Sequence, residues 1–309
     1  MTRRSWLLFG AMGVIWGIPY LLIKVAVDHV APPVVVFGRT SLASVALLVI
    51  ASRTGAVRAA ASHWRWVLAF AAVEMAVPWL ALTDAEQRLP SGLTGLLVAC
   101  VPLFGACIAY LLGDHAALRP VRLAGIAIGL GGVVLLLGRD LDDGHGIPWW
   151  SVAEVMLVCI CYASGPFIVS TRLSDVPSMG VVALSLTAVA ITFAPIAWWV
   201  RPADAPPVNA WAAIIGLAAI CTALAFIIFF LLIDDVGPAR ATLITFVNPA
   251  VAVALGAVVL DEKITLATIG GFCLVVTGCW LATRPQAAVA ASRAGVSSSK
   301  AVRNPSSAS

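Results

Sequence analysis

Four charged residues of this 309-residue chain lie inside long apolar runs: Lys24, Arg39, Glu74 and Glu154. Glu74 is the deepest of them, because it is eight residues from Trp66 and eleven from Ala85, near the two ends of its run. A charge at the centre of a bilayer is costly unless it is paired or protonated, so such a residue is functional by default. Glu74 is therefore our first candidate for binding and releasing protons, and Glu154 is the second. The alternative is a buried ion pair between Glu74 and Arg39 that only fixes packing.

A second set of candidates consists of prolines inside apolar runs: Pro19, Pro78, Pro102, Pro166 and Pro249. Each removes a backbone donor and frees the carbonyl four residues earlier, and in lipid that carbonyl needs a partner in the protein or in a wet cavity. The carbonyls freed in this way belong to Ile15, Glu74, Val98, Tyr162 and Thr245. We therefore predict one central cavity lined by these prolines, although any single proline could merely kink its helix for packing. The other candidate cavity residues are Trp16, Lys24, Arg39, Glu74, Tyr162, Thr245 and Asn248.

Motifs of enzymes and metal sites are missing. The chain has no His-Glu-x-x-His and no Gly-x-Ser-x-Gly, and Gly113-Asp114 lacks the earlier glycine of the Gly-x-Gly-Asp found in intramembrane aspartyl proteases. All seven cysteines fall in apolar runs, and Cys159-x-Cys161 lacks the spacing of metal ligands. We expect no catalytic residue, no metal and no cofactor.

The composition indicates an integral membrane protein. Hydrophobic residues make up 61% of the chain, charged residues 11%, and the mean hydropathy is +1.01, whereas a soluble domain is about half apolar and about a quarter charged. The net charge of +4 is explained by loops and needs no nucleic-acid partner. Sixteen arginines against three lysines, with abundant alanine, are typical of a GC-rich bacterial genome, so we expect a multi-pass protein of a bacterial inner membrane.

The elements that must position these residues are ten predicted transmembrane helices, called spans 1 to 10 below, since a bilayer core needs about 20 apolar residues per helix. They cover residues 5–27, 33–51, 66–85, 91–112, 121–138, 148–170, 178–200, 208–233, 238–260 and 264–283. The remainder, 284–309, is rich in alanine and serine and is predicted to be a disordered tail.

The chain contains the same pattern twice. Pro102, Asp114, Gly125 and Gly132 recur 146 or 147 residues later as Pro249, Asp261, Gly271 and Gly278. The Gly17-x-Pro19 break of span 1 and the following Lys24 similarly precede Gly165-Pro166 and Arg172 of span 6 by about 148 residues. A fixed offset indicates a duplication. Because each half has five spans, the second half enters from the opposite face, which predicts an all-α fold of two inverted five-helix repeats, 5–138 and 148–283.

The orientation follows from the distribution of basic residues. With the N-terminus inside, the inner segments hold Arg3, Arg4, Arg53, Arg58, Arg65, Arg119, Arg122, Arg172 and Arg240. The outer loops hold only Arg88, Arg139, Arg201 and Lys263. The positive-inside rule therefore predicts that both termini are cytoplasmic.

Several short motifs resemble those of a known family. Trp16-Gly17 followed by Lys24, Pro33 and Arg39 resembles the start of an EamA domain. The end of that domain is resembled by four later segments: Ala85-Glu86-Gln87, Ser91-Gly92-Leu93, Pro102-Leu103 and Gly125 with Gly132. In the second half the matching segments are Asn248-Pro249, Asp261-Glu262-Lys263 and Gly271 with Gly278. Over about residues 5–283 the chain is similar to the two-EamA-domain group of the drug/metabolite transporter superfamily. One departure is the loop at 113–118, which is longer than its counterpart in the second half.

The resemblance implies a secondary transporter, usually an exporter of small metabolites or drugs, with a central cavity between its halves. Our first hypothesis is efflux of a small, mostly apolar or zwitterionic solute, with the lipid bilayer and that solute as partners. The runner-up is exchange of phosphorylated sugars or nucleotide-sugars, which would require several basic residues where only Lys24 and Arg39 are available. A non-transporting scaffold or sensor and a membrane enzyme are the alternatives from other classes, and a homodimer is left open.

Overall fold

The computed structural model of the protein describes residues 2–112, 120–140 and 148–283, and its regular structure in these ranges is helical throughout. The predicted long loop at 113–118, with Asp114, and the predicted tail at 284–309 lie outside the described residues. The all-α prediction is confirmed for the part of the chain that the structure describes.

Nine helical stretches of the described chain are long and apolar enough to cross a membrane: Arg3–Val27, Pro32–Arg53, Trp64–Ala85, Ser91–Leu111, Pro120–Leu137, Trp149–Arg172, Ser178–Trp199, Val208–Val236 and Thr242–Val259. The tenth apolar helix, Leu266–Ala282, is slightly shorter. These ten stretches correspond to the ten predicted spans. Spans 2 and 3 are joined through Gly55, whose φ of 72° is accessible to glycine without strain, and the short helix Ala56–Ala61.

Three spans are interrupted next to their prolines. Span 1 consists of Arg3–Ile15 and Ile18–Val27, and span 4 of Ser91–Val98 and Val101–Leu111. Span 9 contains the 3₁₀ turn Thr242–Phe246 and the helix Asn248–Val259. Pro19, Pro102 and Pro249 each lie in the first turn of the later segment, where a helix does not use the N–H that proline lacks. Span 6, Trp149–Arg172, stays continuous through Pro166.

Spans 3 and 8 each contain a π-helical turn. The turn Ala71–Ala76 interrupts span 3 between Trp64–Phe70 and Val77–Ala85, and the turn Ala219–Leu224 interrupts span 8 between Val208–Ala218 and Ala225–Val236. The two turns are 148 residues apart, which is the offset of the sequence repeat. Single π turns inside α-helices occur frequently at functional sites. Here they carry Glu74 and Thr222 at equivalent positions of the two repeats.

Spans 5 and 10 pack against each other through matched glycines. A Cβ built on Gly125 would lie 2.7 Å from the carbonyl oxygen of Gly278, and one built on Gly132 would lie 2.8 Å from the carbonyl oxygen of Gly271. Gly125 corresponds to Gly271 in the repeat and Gly132 corresponds to Gly278, so each contact is the image of the other. The pairing runs antiparallel, and a two-fold axis that exchanges antiparallel helices is perpendicular to them and lies in the membrane plane. The predicted inverted arrangement of the repeats is confirmed.

Two apolar clusters hold the central spans together. One joins spans 2, 3 and 7 around buried Leu47, Met75 and Leu186. The other joins spans 4, 5, 6 and 10, and its buried members include Leu97 and Val155. The charged residues of spans 2 and 3 therefore belong to helices that pack closely against each other and against span 7.

Candidate functional site

Arg39 of span 2 is the most deeply buried basic side chain in the described part of the chain, with an exposed fraction of 7%. Its Nε donates a hydrogen bond to Oγ1 of Thr222 at 2.8 Å, and its guanidinium carbon lies 3.7 Å from the ring centroid of Trp79. The second contact is a cation–π interaction between spans 2 and 3. None of the ion pairs found in the described chain includes Arg39. The alternative of a buried ion pair with Glu74 is therefore wrong.

Two tyrosines lie close to this arginine. Tyr20 of span 1 is 7% exposed, and Tyr162 of span 6 packs at the junction of the apolar clusters that contain Trp79 and Tyr20. Both phenols lie within electrostatic range of Arg39. Tyr162 shares a face of span 6 with Gly165, three residues later, against which the Glu74 carboxyl lies. Arg39 and Glu74 form no ion pair with each other in the described chain. We call Arg39, Glu74, Trp79, Tyr162 and Thr222 the central cluster.

Glu74 projects from its π turn toward span 6. Its Oε2 is buried and has no hydrogen-bond partner, and a Cβ built on Gly165 would overlap it. Glycine at 165 therefore makes the room that the carboxyl occupies, one residue before Pro166. Glu74 takes part in no ion pair in the described residues. A charged Glu74 would have to be neutralised by a proton or a cation that is not part of these helices.

A second polar group lies at the end of the bundle where span 3 leads into span 4. Lys24 Nζ donates a hydrogen bond to the backbone carbonyl of Glu86 at 2.9 Å and lies 3.9 Å from Oδ1 of Asp28. The side chain of Glu86 is fully buried, and neither of its carboxyl oxygens has a partner. Burial raises the pKa of Glu86 well above its usual range, against the opposing charge of Lys24. The sequence analysis did not select Glu86 as a candidate.

The carboxylate of Glu262 links the two repeats at the same end of the bundle. It accepts hydrogen bonds from the backbone N–H groups of Ser91, at 2.7 Å to Oε1, and of Gly92, at 2.9 Å to Oε2. These are the first free N–H groups of the helix Ser91–Val98, where a negative charge is favoured. A Cβ on Gly92 would lie 2.9 Å from Oε2, and one on Gly256 would also meet this carboxylate, so the glycines leave it space. The sequence motifs contain Glu262 but do not reveal this cap.

Glu154, the second predicted carboxyl, belongs to a different group. It accepts a hydrogen bond of 3.2 Å from Arg88, which also pairs with Asp84 and donates from Nε to Ser151 at 2.7 Å. This network lies at the ends of spans 3 and 6. Glu154 therefore has a basic partner, which it shares with Asp84, whereas Glu74 has none among the described residues.

Backbone carbonyls near the helix breaks have protein partners. The thiol of Cys279 donates to the carbonyl of Ala99 at 3.1 Å, and that of Cys159 donates to the carbonyl of Leu97 at 3.5 Å. The side-chain amide of Asn248 faces two carbonyls, so the facing atom is assigned as its nitrogen, which then donates to Gly13 at 3.1 Å and to Ile244 at 2.9 Å. Two of the cysteines and Asn248 thus stabilise the broken spans 4 and 9, a role that the sequence did not indicate for the cysteines.

The predicted cavity residues therefore fall in separate regions. Arg39, Glu74 and Tyr162 belong to the central cluster. Trp16 packs against Phe226 and Phe229 of span 8 with ring centroids 6.2 and 4.7 Å away. Thr245 donates to the carbonyl of Thr242 at 2.8 Å, in the 3₁₀ turn of span 9. Lys24 lies with Glu86. Among the prolines, Pro19, Pro78 and Pro249 are buried, Pro102 is half-buried and Pro166 is exposed. A single cavity lined by all of them stays a prediction.

Comparisons with a family profile and with individual proteins agree on one family of transporters. The profile of the EamA-like transporter family matches the chain twice, at residues 4–138 and 149–284. The inner membrane transporter YedA of Escherichia coli K12, named as uncharacterized, is 30% identical over 255 residues, which are 81% of this chain and 81% of that protein.

Two further relatives are more distant. The uncharacterized transporter YvbV of Bacillus subtilis is 24% identical over 299 residues, covering 93% of this chain and 94% of YvbV. A protein of Streptantibioticus cattleyicolor named "Probable terminal-alkyne amino-acid exporter" is 24% identical over 287 residues, covering 92% of this chain and 94% of the exporter. One crystal structure superposes with a TM-score of 0.63 at 20% identity, covering 92% of this chain and 98% of the other, and this likeness concerns the fold alone.

Proposed function

Because the chain belongs to the EamA-like transporter family of the drug/metabolite transporter superfamily, we propose that it exports a small metabolite or drug-like solute. The proposed transport is secondary and proton-coupled, and the solute passes between the repeats 5–138 and 148–283. Both termini, including the tail 284–309, then lie in the cytoplasm of a bacterial cell, and the spans lie in its inner membrane. The relatives named as inner membrane transporters and as an exporter support this direction and location.

The observation that carries the proposal is the unpaired carboxyl of Glu74. Its Oε2 is buried without a hydrogen-bond partner and its carboxyl takes part in no ion pair within the described chain. Desolvation favours the neutral acid, and an approaching cation favours the carboxylate. A carboxyl balanced between these forms can take up a proton from one side of the membrane and release it to the other.

Helix breaks that could act as hinges for alternating access occur in both repeats. Spans 1, 4 and 9 are interrupted, and π turns lie at Ala71–Ala76 and Ala219–Leu224. Two of these breaks contact the other repeat, since Gly17 lies against Val251 and Thr222 accepts from Arg39. Broken helices at that interface are typical of transporters whose repeats rock around a fixed site.

The proposal is tested with purified protein in sealed vesicles, with a pH gradient and a panel of metabolites and drugs. We expect wild-type protein to move at least one solute against its gradient at the expense of the pH gradient. Glu74→Gln keeps the shape of the side chain and removes its titration, so it should insert normally, lose gradient-driven flux and retain solute exchange. Glu154→Gln is the matched control, because that carboxyl is already paired with Arg88.

Two results would contradict parts of the proposal. Wild-type flux in Glu74→Gln under a pH gradient would make Glu74 a structural residue and would transfer the coupling role to Glu154. Absence of any transport over the whole panel would favour the scaffold or sensor hypothesis.

A further inference from the structure

We propose that Arg39 is the receptor for a single carboxylate of the solute, so that the protein carries monocarboxylates with an apolar or aromatic body. This inference rests on the proposed transport function and specifies the class of its substrate. It concerns the edge of the Arg39 guanidinium that the protein leaves free.

The protein fixes two parts of this guanidinium. Thr222 Oγ1 accepts from Nε at 2.8 Å, and the Trp79 ring lies under the guanidinium carbon at 3.7 Å. The Thr222 hydroxyl is itself oriented, because it donates its proton to the Leu217 carbonyl at 2.7 Å, five residues earlier across the π turn. The hydroxyl oxygen therefore faces Arg39 as an acceptor. One side and one face of the guanidinium plane are held by the protein.

The terminal nitrogens of Arg39 are the unused part. Neither has a hydrogen-bond acceptor in the described chain, and neither is among its fully enclosed unpaired atoms, so the small exposed part of Arg39 includes these two nitrogens. A buried cation without an anion is costly, and a cost of this kind is tolerated where a ligand supplies the anion. The two terminal N–H groups of a guanidinium form a planar fork that matches the two oxygens of a carboxylate.

The charges nearby limit the solute to one negative charge. Arg39 is the only basic side chain that is nine-tenths buried in the described residues. The other candidate, Lys24, is held by the Glu86 carbonyl at 2.9 Å and lies 3.9 Å from Asp28. A phosphate ester carries up to two negative charges, and the described residues offer no second buried cation that could balance the second charge. One guanidinium without a second cation fits a carboxylate and disfavours phosphorylated sugars and nucleotide-sugars.

The remaining surroundings suit an apolar body. Trp79 and Tyr20 are nearly fully buried, and Tyr162 packs beside both of the clusters to which they belong. Aromatic side chains combine a large apolar surface with a polar tip, so they can hold a hydrocarbon or ring while the carboxylate lies on Arg39.

The test measures ligand binding by thermal shift and calorimetry on purified full-length protein. The probes are aromatic and aliphatic monocarboxylates, the uncharged amide of each, and the phosphate ester of matched size. We expect at least one carboxylate to bind wild-type protein about 100-fold more tightly than its amide, because the amide lacks the charge that the fork pairs with. Arg39→Gln should remove this preference and leave the weak affinity for the amide unchanged.

Further variants separate the roles of charge and geometry. Arg39→Lys keeps the charge and loses the fork, so it should retain only part of the preference for carboxylate. Thr222→Val removes the Nε partner and should weaken carboxylate binding about tenfold without loss of folding. Arg88→Gln is the matched control, since that arginine is paired with Asp84 and Glu154 at the bundle end and should leave binding unchanged.

The outcomes distinguish this inference from the transport proposal. Transport of a solute without a carboxylate, or failure of every carboxylate to bind more tightly than its amide, would overturn the inference and leave transport intact. Tighter binding of the phosphate esters would also overturn it. Should Arg39→Gln fail to fold, the comparison of carboxylate with amide on wild-type protein and the Thr222→Val variant decide the question.

Discussion

A fully buried carboxyl without a hydrogen-bond partner, such as that of Glu86, destabilises the fold whenever it is ionised. Burial raises its pKa well above the unfolded value of about 4.3, and Lys24 only partly opposes this shift. A group with a raised folded pKa stabilises the fold at pH below its unfolded pKa. That contribution is lost as the pH rises through the folded pKa.

We therefore expect Glu86 to lower the melting temperature of the wild-type protein as the pH rises from acidic to alkaline values, as one part of the total pH dependence. Glu86→Gln should remove that part, so the variant should gain stability relative to wild type at high pH and little at low pH. The measurement is thermal unfolding in detergent across this pH range. Curves for wild type and variant that run parallel would show that Glu86 does not titrate in the folded protein.

Gly165 permits a further test at the residue scale, because the carboxyl of Glu74 occupies the space beside it. A Cβ at 165 would overlap Oε2 of Glu74, and overpacking of this kind costs roughly 1–3 kcal/mol. We expect Gly165→Ala to displace Glu74 and to reduce flux driven by a pH gradient. Gly105→Ala is the control, because nothing lies within 4 Å of a Cβ there. Equal flux in both variants would argue against a role for the position of Glu74.

At the scale of elements, the glycine contact between spans 5 and 10 determines how closely the repeats approach. A Cβ on Gly278 would lie 2.6 Å from Cα of Gly129, and it would also meet the carbonyl of Gly125. Backbone atoms cannot move aside as a flexible side chain does, so Gly278→Ala must separate the helices. We expect a loss of roughly 1–3 kcal/mol of unfolding free energy, which corresponds to several degrees in melting temperature. Gly131→Ala, with nothing within 4 Å, should be neutral or slightly stabilising.

The cap of span 4 by Glu262 is the second contact between elements that can be measured. Glu262→Gln keeps one acceptor oxygen for Ser91 or Gly92 and loses the negative charge at the helix N-terminus, which should cost about 1 kcal/mol. Lys263→Gln changes the neighbouring exposed residue and serves as the control. A melting temperature of Glu262→Gln that equals the control would show that the cap contributes nothing to stability.

The ten spans and their inverted repeat were predictable because apolar length and matched glycines are properties of the sequence itself. Glu86 was not, because it stands in the polar segment 84–88, where a loop position is the ordinary expectation. The π turns at Ala71–Ala76 and Ala219–Leu224 were not predictable either, because their residues are ones that also occur in ordinary α-helices. Thr222 and Trp79 became candidates only when packing placed them on Arg39, since ordinary apolar runs contain both residue types.

At the scale of the whole molecule, the two ends of the bundle differ in how many arginines they carry. Arg53 and Arg58 lie between spans 2 and 3, and Arg172 ends span 6 with its guanidinium carbon 4.6 Å from the Trp66 ring centroid. At the opposite end, Arg201 lies 4.0 Å from the Trp198 ring centroid. Tryptophan rings with basic partners are typical of membrane interfaces. Both ends thus have the anchors of an interface, and the excess of basic residues alone distinguishes them.

That excess predicts the orientation of the chain and, because the repeats are inverted, of every loop. A phosphatase reporter that is active only outside the inner membrane should be inactive when fused after Thr283 and active when fused after Asp204, in the segment between spans 7 and 8. A fluorescent reporter that matures only in the cytoplasm should give the opposite pattern at the same two positions. An active phosphatase after Thr283 would place the Arg53 end outside, against the positive-inside rule. Glu86, Glu262 and Lys24 would then face the cytoplasm, and the proton that Glu74 accepts would have to enter from the arginine-rich end.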